Sequence, residues 1–255
     1  MIKQFALVTF IVFIISNNSF AQENNIIVID NNIQLINLQD SIFIHISWQQ
    51  SETFGRFPSN GLIIIKNGEA LMVDTPMDND KTKRLTNYLN DSLSVSLTKL
   101  IVCHYHDDCL GGLEYLQTLG IESIANYLTI AKCKEIGLPI PSIPFTDSLK
   151  FNFNGEPVEC SFFGAGHTFD NIVVYLPNKE ILFGGCLVKS SNSKGLGNTT
   201  DAVVNEWSQT INKIIKRFPE IKTVVPGHGG HGDKKLLYHT VDLVEFAKNK
   251  SNLTK

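Results

Sequence analysis

The chain has 255 residues, a formal net charge of −3 and a hydrophobic content of 43%. This content is sufficient for a sizeable core, and the length is typical of one or two domains. The small net charge does not indicate binding to nucleic acid or to a membrane surface, so neither is expected as a partner.

Residues 1–21 have the layout of a secretory signal peptide. The positively charged Lys3 precedes an apolar run, FALVTFIVFII, and Ala21 closes a Ser-Phe-Ala triplet that is typical of a cleavage site. An uncleaved membrane anchor is the alternative, but the run is shorter than the roughly 20 apolar residues that span a bilayer. We therefore expect cleavage after Ala21, export to the periplasm, and a single domain over residues 22–255 with no membrane contact.

The cysteine count bears on that export. The five cysteines are Cys103, Cys109, Cys133, Cys160 and Cys186. An odd number cannot all pair within one chain, and a chain of this size needs no disulfide to fold. At least one cysteine therefore has another role, and metal ligation is the obvious candidate.

The first half of the chain predicts strands, then a helix and a further strand. Residues 31–48 alternate polar and apolar side chains, and residues 61–76 form a predicted hairpin that turns at an Asn-Gly pair. A helix is expected within residues 77–92. The strand at 97–103 runs directly into the stretch HYHDDC, and a short helix at 113–120 stops at a glycine.

The second half of the chain predicts more strands and two long helices. Four short strands are expected between residues 148 and 188, and a strand at 222–230. The clearest helix spans residues 201–218, with Asp201 as its N-cap, and the last spans residues 233–250. This order predicts an α+β or layered α/β fold in which helices cover sheets.

Side chains that bind metals are concentrated at the predicted strand ends. Three lie one residue apart in HYHDDC, and the others lie in the glycine-flanked stretches GAGHTFDN, LFGGCLVKS and PGHGG. Each motif alone is a weak signal, because a histidine beside glycine is usually a turn residue and a buried cysteine usually a small hydrophobe. Together they predict one metal centre. The candidates are His104, His106, Asp108, His167, Cys186 and His228.

Several stretches occur in the order seen in class B metallo-β-lactamases, and the chain most resembles subclass B1. They are HYHDDCLGG, GAGHTFDNIVVYLP, FGGCLVKS, LGNTTDA and PGHGG, with FPSNGLIII near the start. The similarity covers essentially the whole chain after the signal peptide. It implies the αββα sandwich of that family, which agrees with the order of elements above.

The resemblance implies two Zn²⁺ ions per chain. It assigns the first ion to His104, His106 and His167, and the second to Asp108, Cys186 and His228. Three neutral imidazoles leave a tetrahedral ion with one open position, as in other catalytic zinc sites. A thiolate and a carboxylate offset the charge of the second ion, and a metal-bound thiolate is unavailable for a disulfide.

The resemblance does not make Cys109 a ligand. Hydrolases of the wider superfamily such as glyoxalase II carry His at this position and a bridging Asp at that of Cys186. Both differences indicate β-lactams rather than thioesters, phosphodiesters or lactones as substrates. A hydrolase of those other substrates and a non-enzymatic metal-binding protein are the two competing hypotheses.

The implied reaction is hydrolysis of the β-lactam amide by a metal-bound hydroxide, which confers resistance to β-lactam antibiotics. Zinc lowers the pKa of bound water to about 7. The resemblance gives Asp108 the role of orienting the hydroxide or relaying a proton, Asn198 that of donating to the lactam carbonyl, and Lys189 that of binding the substrate carboxylate. The alternatives are a solvated surface lysine at 189 and a turn residue at 198.

Two further regions resemble the family. Residues 51–58, with Phe54 and Phe57, lie where the family has a mobile hairpin flap over the substrate. Asp74 resembles a position near the metal ligands. The expected partners are β-lactam substrates alone, and we expect a monomer.

Overall fold

The computed structural model describes residues 26–53 and 55–253. The predicted signal peptide and Phe54 lie outside these ranges. Within them, no helix has the length and apolar character needed to cross a membrane.

The first sheet contains eight strands in the order of the sequence. They are β1 (Ile26–Asp30), β2 (Ile33–Gln39), β3 (Ile42–Ser51), β4 (Gly55–Lys66), β5 (Glu69–Val73), β6 (Ser96–Val102), β7 (Glu122–Asn126) and β8 (Ile143–Phe145). Strands β1 to β5 pair antiparallel, as consecutive hairpins do. The predicted hairpin turn is confirmed, since Asn67 and Gly68 both have positive φ, 52° and 78°.

Strands β5 to β8 are parallel to one another. Parallel neighbours need crossover connections, which four helices supply here. They are α1 (Asn79–Leu93), α2 (Asp107–Leu110), α3 (Leu113–Thr118) and α4 (Tyr127–Ile136). The predicted first helix is confirmed, and its N-cap Asp78 accepts from the backbone N–H of Lys81 at 2.7 Å.

The second sheet has five strands in the order β13-β12-β11-β10-β9. They are β9 (Ser148–Phe153), β10 (Glu156–Ser161), β11 (Val173–Leu176), β12 (Ile181–Gly185) and β13 (Thr223–Pro226), and the helices α5 (Val204–Arg217) and α6 (Lys235–Leu253) complete the chain. The four strands predicted between residues 148 and 188 are confirmed.

Side chains of the second sheet point alternately to its two faces, and the core is therefore divided into two layers. Val174 and Phe183 belong to the core shared with the first sheet, whereas their neighbours Val173 and Leu182 pack with α5 and α6. Because successive residues of a strand face opposite sides, one sheet covers both layers. With α1, α3 and α4 packed on the first sheet, the architecture is the predicted αββα sandwich.

The predicted N-cap of α5 is wrong. The helix begins at Val204, and its N-cap Val203 makes no side-chain hydrogen bond to it. Asp201 lies outside the helix because its carboxylate is instead 3.0 Å from Nε2 of His106. A tertiary contact has therefore replaced the local cap.

Gly61 on β4 offers a test of this packing. It lies opposite His45, and a Cβ there would be 2.0 Å from His45 Nε2 and 2.4 Å from the carbonyl oxygen of Val73. We expect Gly61→Ala to lower the free energy of unfolding by about 1–3 kcal/mol, because overpacking displaces the His45 ring from its hydrogen bond with the Asp74 carbonyl. Urea denaturation of the metal-free proteins measures the change. Gly230→Ala is the control, since a Cβ there meets nothing within 4 Å; equal loss in both variants would contradict the prediction.

Candidate metal centre

Strand ends from both sheets meet at one edge of the sandwich. His104 follows β6, Cys186 follows β12 and His228 follows β13, while His167 lies in the connection from β10 to β11. Strands β12 and β13 are parallel, so their carboxyl ends lie side by side. The carboxyl edge of parallel strands is where such folds commonly bind ligands.

Asn60 ties the two sheets together beside this edge. Its backbone N–H donates to the Gly227 carbonyl at 2.8 Å, and its side-chain amide donates to the carbonyls of Pro226 at 2.8 Å and Gly229 at 2.7 Å. Asn60 belongs to β4 of the first sheet, and its three acceptors flank His228 in the second. These buried hydrogen bonds therefore fix one ligand segment relative to the other sheet.

The six predicted metal-binding side chains converge. They form three overlapping groups, and within each group the ligand atoms lie within 4.8 Å of one another. The groups are His104, His167 and Cys186; His104, His106 and Asp108; and Asp108, Cys186 and His228. The third group is the predicted second set of ligands.

The three imidazoles of the predicted first set pack edge to face. Ring centroids are 4.7 Å apart for His104 and His106, 4.9 Å for His104 and His167, and 5.3 Å for His106 and His167. Burial lowers the pKa of His104 to about 3 and that of His167 well below its usual value, so both rings are neutral. Neutral imidazole is the form that binds metal.

His104 carries an unsatisfied nitrogen at the centre of the cluster. Its Nδ1 is 3.0 Å from Sγ of Cys109, whereas its buried Nε2 finds no hydrogen-bond partner among the described residues. An unpaired buried polar atom is costly unless a ligand satisfies it. Cys109 therefore contacts the side of the His104 ring that is turned away from the other predicted ligands, in keeping with its exclusion from them.

The predicted second set forms a hydrogen-bonded triad around Asp108. The Cys186 thiol donates to Asp108 Oδ2 at 2.9 Å, and His228 Nε2 lies 3.1 Å from the same oxygen. His228 Nδ1 lies 2.7 Å from the carbonyl of Pro58, a contact that makes Nδ1 the protonated nitrogen. Burial opposes ionisation of Asp108, but its hydrogen bond with His228 holds its pKa well below its usual value.

These groups fit divalent metal ions. Burial and the charge of Asp108 raise the pKa of the Cys186 thiol well above its usual value. A bound cation reverses this effect, because a coordinating thiol is deprotonated outright. Neutral imidazoles, a thiol and an ionised carboxylate are together the donor types that proteins offer to zinc.

Asp74 is a buried carboxylate that supports the backbone beside the predicted metal ligands. It follows β5 with a positive φ of 58°, and its Oδ1 accepts from the Cys103 backbone N–H at 2.7 Å. Burial raises the pKa of this carboxyl to about 7, although hydrogen bonds with Cys109 and Cys103 oppose the shift. The predicted position near the ligands is therefore observed, and Asp74 links the segments that carry His104 and Cys109.

Lys189 and Asn198 line the same cavity, whose volume is about 690 Å³. Lys189 Nζ lies 5.1 Å from the ring centroid of Trp207, and burial lowers the pKa of the lysine while the charges of Cys186 and Asp108 partly offset this. Lys189 is thus partly buried in the site rather than a solvated surface lysine. Asn198 Oδ1 accepts from the backbone and hydroxyl of Thr200, at 3.1 and 2.8 Å, so it is a turn residue as well as a cavity residue.

Tyr105 and Asp107 lie beside the predicted ligands in the stretch HYHDDC. Tyr105 and Asp107 belong to none of the three ligand groups, but both line the cavity. From the predicted flap, Phe57 lines the cavity with its ring centroid 6.1 Å from that of His228.

Two carboxylates that position the site were missed by the sequence analysis. Asp201 holds the Nε2 side of His106, as described above. Asp170 is fully buried, and its Oδ2 accepts from the Tyr105 backbone N–H at 3.1 Å and the Thr129 hydroxyl at 2.7 Å. A signal for Asp170 was present, since it follows His167 by three residues in the motif GAGHTFDN.

Comparison with known proteins agrees with the site. The family model for the metallo-beta-lactamase superfamily matches residues 54–228. The chain belongs to this superfamily. A relative from Bacteroides fragilis, named metallo-beta-lactamase type 2, is 44% identical over 216 residues, which cover 85% of this chain and 87% of that protein. A Bacillus cereus protein of the same name is 42% identical over 188 residues, 74% of this chain and 73% of that one.

Solved structures share the fold of this superfamily member. A metallo-beta-lactamase from Pontibacter korlensis superposes with a TM-score of 0.81 at 36% identity, covering 84% of this chain and 99% of that one. The metallo-beta-lactamase FIM-1 from Pseudomonas aeruginosa, solved in a mono-zinc form, gives a TM-score of 0.80 at 31% identity, with 86% and 98% covered.

The contact of Asp201 with His106 generates a prediction. A carboxylate that accepts from one imidazole nitrogen fixes the tautomer and the ring orientation, and leaves the lone pair on the other nitrogen. We expect Asp201→Ala to weaken zinc binding at the site that contains His106 by about 10- to 100-fold, the usual effect of removing such a partner. Titration of the metal-free protein against a competing zinc indicator measures this affinity.

Asp242→Ala is the matched control for that titration. It removes one exposed carboxylate from α6 and so makes the same change in net charge. Equal weakening in the two variants would show that Asp201 acts through general electrostatics and not through the His106 ring.

Proposed function

We propose that this protein is a zinc-dependent β-lactamase that hydrolyses the β-lactam amide bond and so confers resistance to β-lactam antibiotics. The observation that carries the proposal is the convergence of the six side chains beside a cavity that four of them line together with Lys189. Membership of the metallo-beta-lactamase superfamily, and relatives named for this activity, support the choice of substrate.

The proposed cofactor is a pair of zinc ions. His104, His106 and His167 would hold the first, and Asp108, Cys186 and His228 the second. The mono-zinc form of the Pseudomonas aeruginosa relative supports zinc as the metal. When bound, zinc supplies Lewis acidity and lowers the pKa of a coordinated water to about 7.

Side chains of the protein bind and orient the substrate and the attacking water. The ammonium of Lys189 binds the substrate carboxylate, and the amide N–H groups of Asn198 donate to the lactam carbonyl oxygen, where negative charge develops. Oδ2 of Asp108 faces Cys186 and His228, so the other carboxylate oxygen, Oδ1, would be the atom that orients the attacking water.

The cavity walls exclude water from the reacting groups. Phe57 and Pro58 belong to the predicted flap, and Met77 and Val188 contribute further apolar surface. Apolar walls strengthen the electrostatic interactions of the substrate with Lys189 and Asn198, since screening by solvent is reduced.

A hydrolase of thioesters, phosphodiesters or lactones is the second candidate on this scaffold. Cysteine at positions 109 and 186 opposes it for the reasons given above. A non-enzymatic metal-binding protein is opposed by the cavity, because a purely structural zinc site is closed by four protein ligands.

We also propose export to the periplasm, removal of residues 1–21, and a monomeric domain over residues 22–255. The support is the composition of the first residues of the sequence. N-terminal sequencing of protein recovered from the periplasm should begin at Gln22.

One assay tests the proposed function directly. The purified domain should hydrolyse a chromogenic cephalosporin, lose this activity in a chelator and recover it when zinc is added back. Turnover of a thioester or a lactone, without turnover of any β-lactam, would establish the second candidate instead.

Lys189 generates a quantitative prediction. A charge-assisted hydrogen bond contributes roughly 1.5–3 kcal/mol, which corresponds to about 10- to 150-fold in affinity. We expect Lys189→Ala to lower kcat/KM by this factor, mainly through KM, because the carboxylate is bound alike in the ground state and the transition state. Steady-state kinetics with several carboxylate-bearing lactams provide the measurement.

Lys194→Ala is the control for this variant, since Lys194 is exposed in the same segment and does not line the cavity. Zinc content should be unchanged in both variants, because an ammonium group is not a ligand. A wild-type KM in Lys189→Ala would show that Lys189 does not bind the substrate carboxylate.

A further inference from the structure

The cavity extends beyond the metal centre to the end of α4. Ile136, the last residue of that helix, and Leu138, just after it, both line the cavity. Ile136 continues the helix stripe that begins with Thr129 and Cys133, at intervals of four and three residues. Thr129 and Cys133 are fully buried, whereas 46% of Ile136 is exposed. The stripe therefore runs past the protein core into the cavity.

The end of α4 is held in a fixed position relative to the predicted ligands. Asp170 accepts both from Thr129, in the first turn of α4, and from the backbone of Tyr105, between two predicted ligands. The Tyr105 ring centroid lies 4.5 Å from that of His106, and Lys132 of α4 places its Nζ 5.9 Å from the same tyrosine ring. These contacts hold the apolar surface of α4 in a fixed position beside the predicted metal ligands.

We propose that Ile136 and Leu138 form a specificity subsite for the apolar acyl substituent of a β-lactam, an inference that rests on the proposed function. Lys189 would bind the carboxylate and Asn198 the lactam carbonyl oxygen, which leaves the substituent at the other end of the bicyclic nucleus. The cavity volume of about 690 Å³ suits a substituted molecule, because pockets for drug-sized ligands measure roughly 300–1,000 Å³. An apolar substituent would cover surface of Ile136 that the protein leaves exposed.

The test uses direct binding, so that it does not depend on turnover. The ligands are the ring-opened products of two penicillins with one nucleus, the first with a phenylacetyl substituent and the second with a free amine. Calorimetry with the zinc-loaded protein gives the dissociation constant of each. We expect Ile136→Ala to weaken binding of the phenylacetyl compound by about 5-fold, from the partial loss of buried methylene surface, and that of the amine by less than about 2-fold.

Ile140→Ala is the matched control. Ile140 is 41% exposed and close in sequence, but it does not line the cavity, so its variant should bind both compounds as the wild type does. Equal weakening of the two compounds in Ile136→Ala, or no weakening of either, would overturn the subsite.

The same measurement separates this inference from the proposed function. Selective weakening of the phenylacetyl compound in a protein that turns over no β-lactam would support the subsite and reject the activity. Full turnover of β-lactams, with equal binding of the two compounds to wild type and to Ile136→Ala, would support the activity and reject the subsite.

Discussion

The metal centre depends on a single constraint, which is that the two sheets keep one alignment at the edge where their strands end. The predicted ligands in the segment after β6 belong to the first sheet, and those after β12 and β13 belong to the second. The three hydrogen bonds of Asn60 cross from one sheet to the other at this edge. Breaking them would leave buried carbonyls unpaired, at a cost of about 1–3 kcal/mol each. The ligand geometry is therefore a property of the sandwich and not of a flexible loop.

Close backbone approach is the second element of this alignment. The Gly227 N–H donates to the Gly185 carbonyl at 2.7 Å, which joins the ends of β13 and β12. A Cβ at Gly227 would lie 2.5 Å from Sγ of Cys186, so a side chain there would displace the thiol. The glycine before His228 in PGHGG is thus explained by the space that a neighbouring ligand occupies.

Much of the site was predictable because its signals are local. The ligands lie in short motifs at strand ends, and a strand that ends in HYHDDC or FGGC can be recognised from apolar periodicity and the residues that follow. The sandwich was predictable for a similar reason, since the order of strands and helices restricts how sheets and helices can be layered.

The parts that were missed depend on tertiary contacts. Asp201 has the sequence context of a helix cap, and only the folded chain brings it to His106, which lies 95 residues away in the sequence. Helix α4 gave no clear amphipathic pattern, because it buries the polar Thr129 and exposes the apolar Tyr127 and Ile136. Helix α4 packs around the buried carboxylate of Asp170 and borders a cavity. Such a helix buries some polar residues and exposes some apolar ones.

We propose that six side chains from two sheets hold a pair of zinc ions. Anomalous X-ray scattering from crystals of the zinc-loaded protein, recorded on both sides of the zinc absorption edge, tests it most directly. We expect two peaks, one enclosed by His104, His106 and His167 and the other by Asp108, Cys186 and His228. A peak held by other residues, or fully zinc-loaded protein with no peak at this edge of the sandwich, would contradict it.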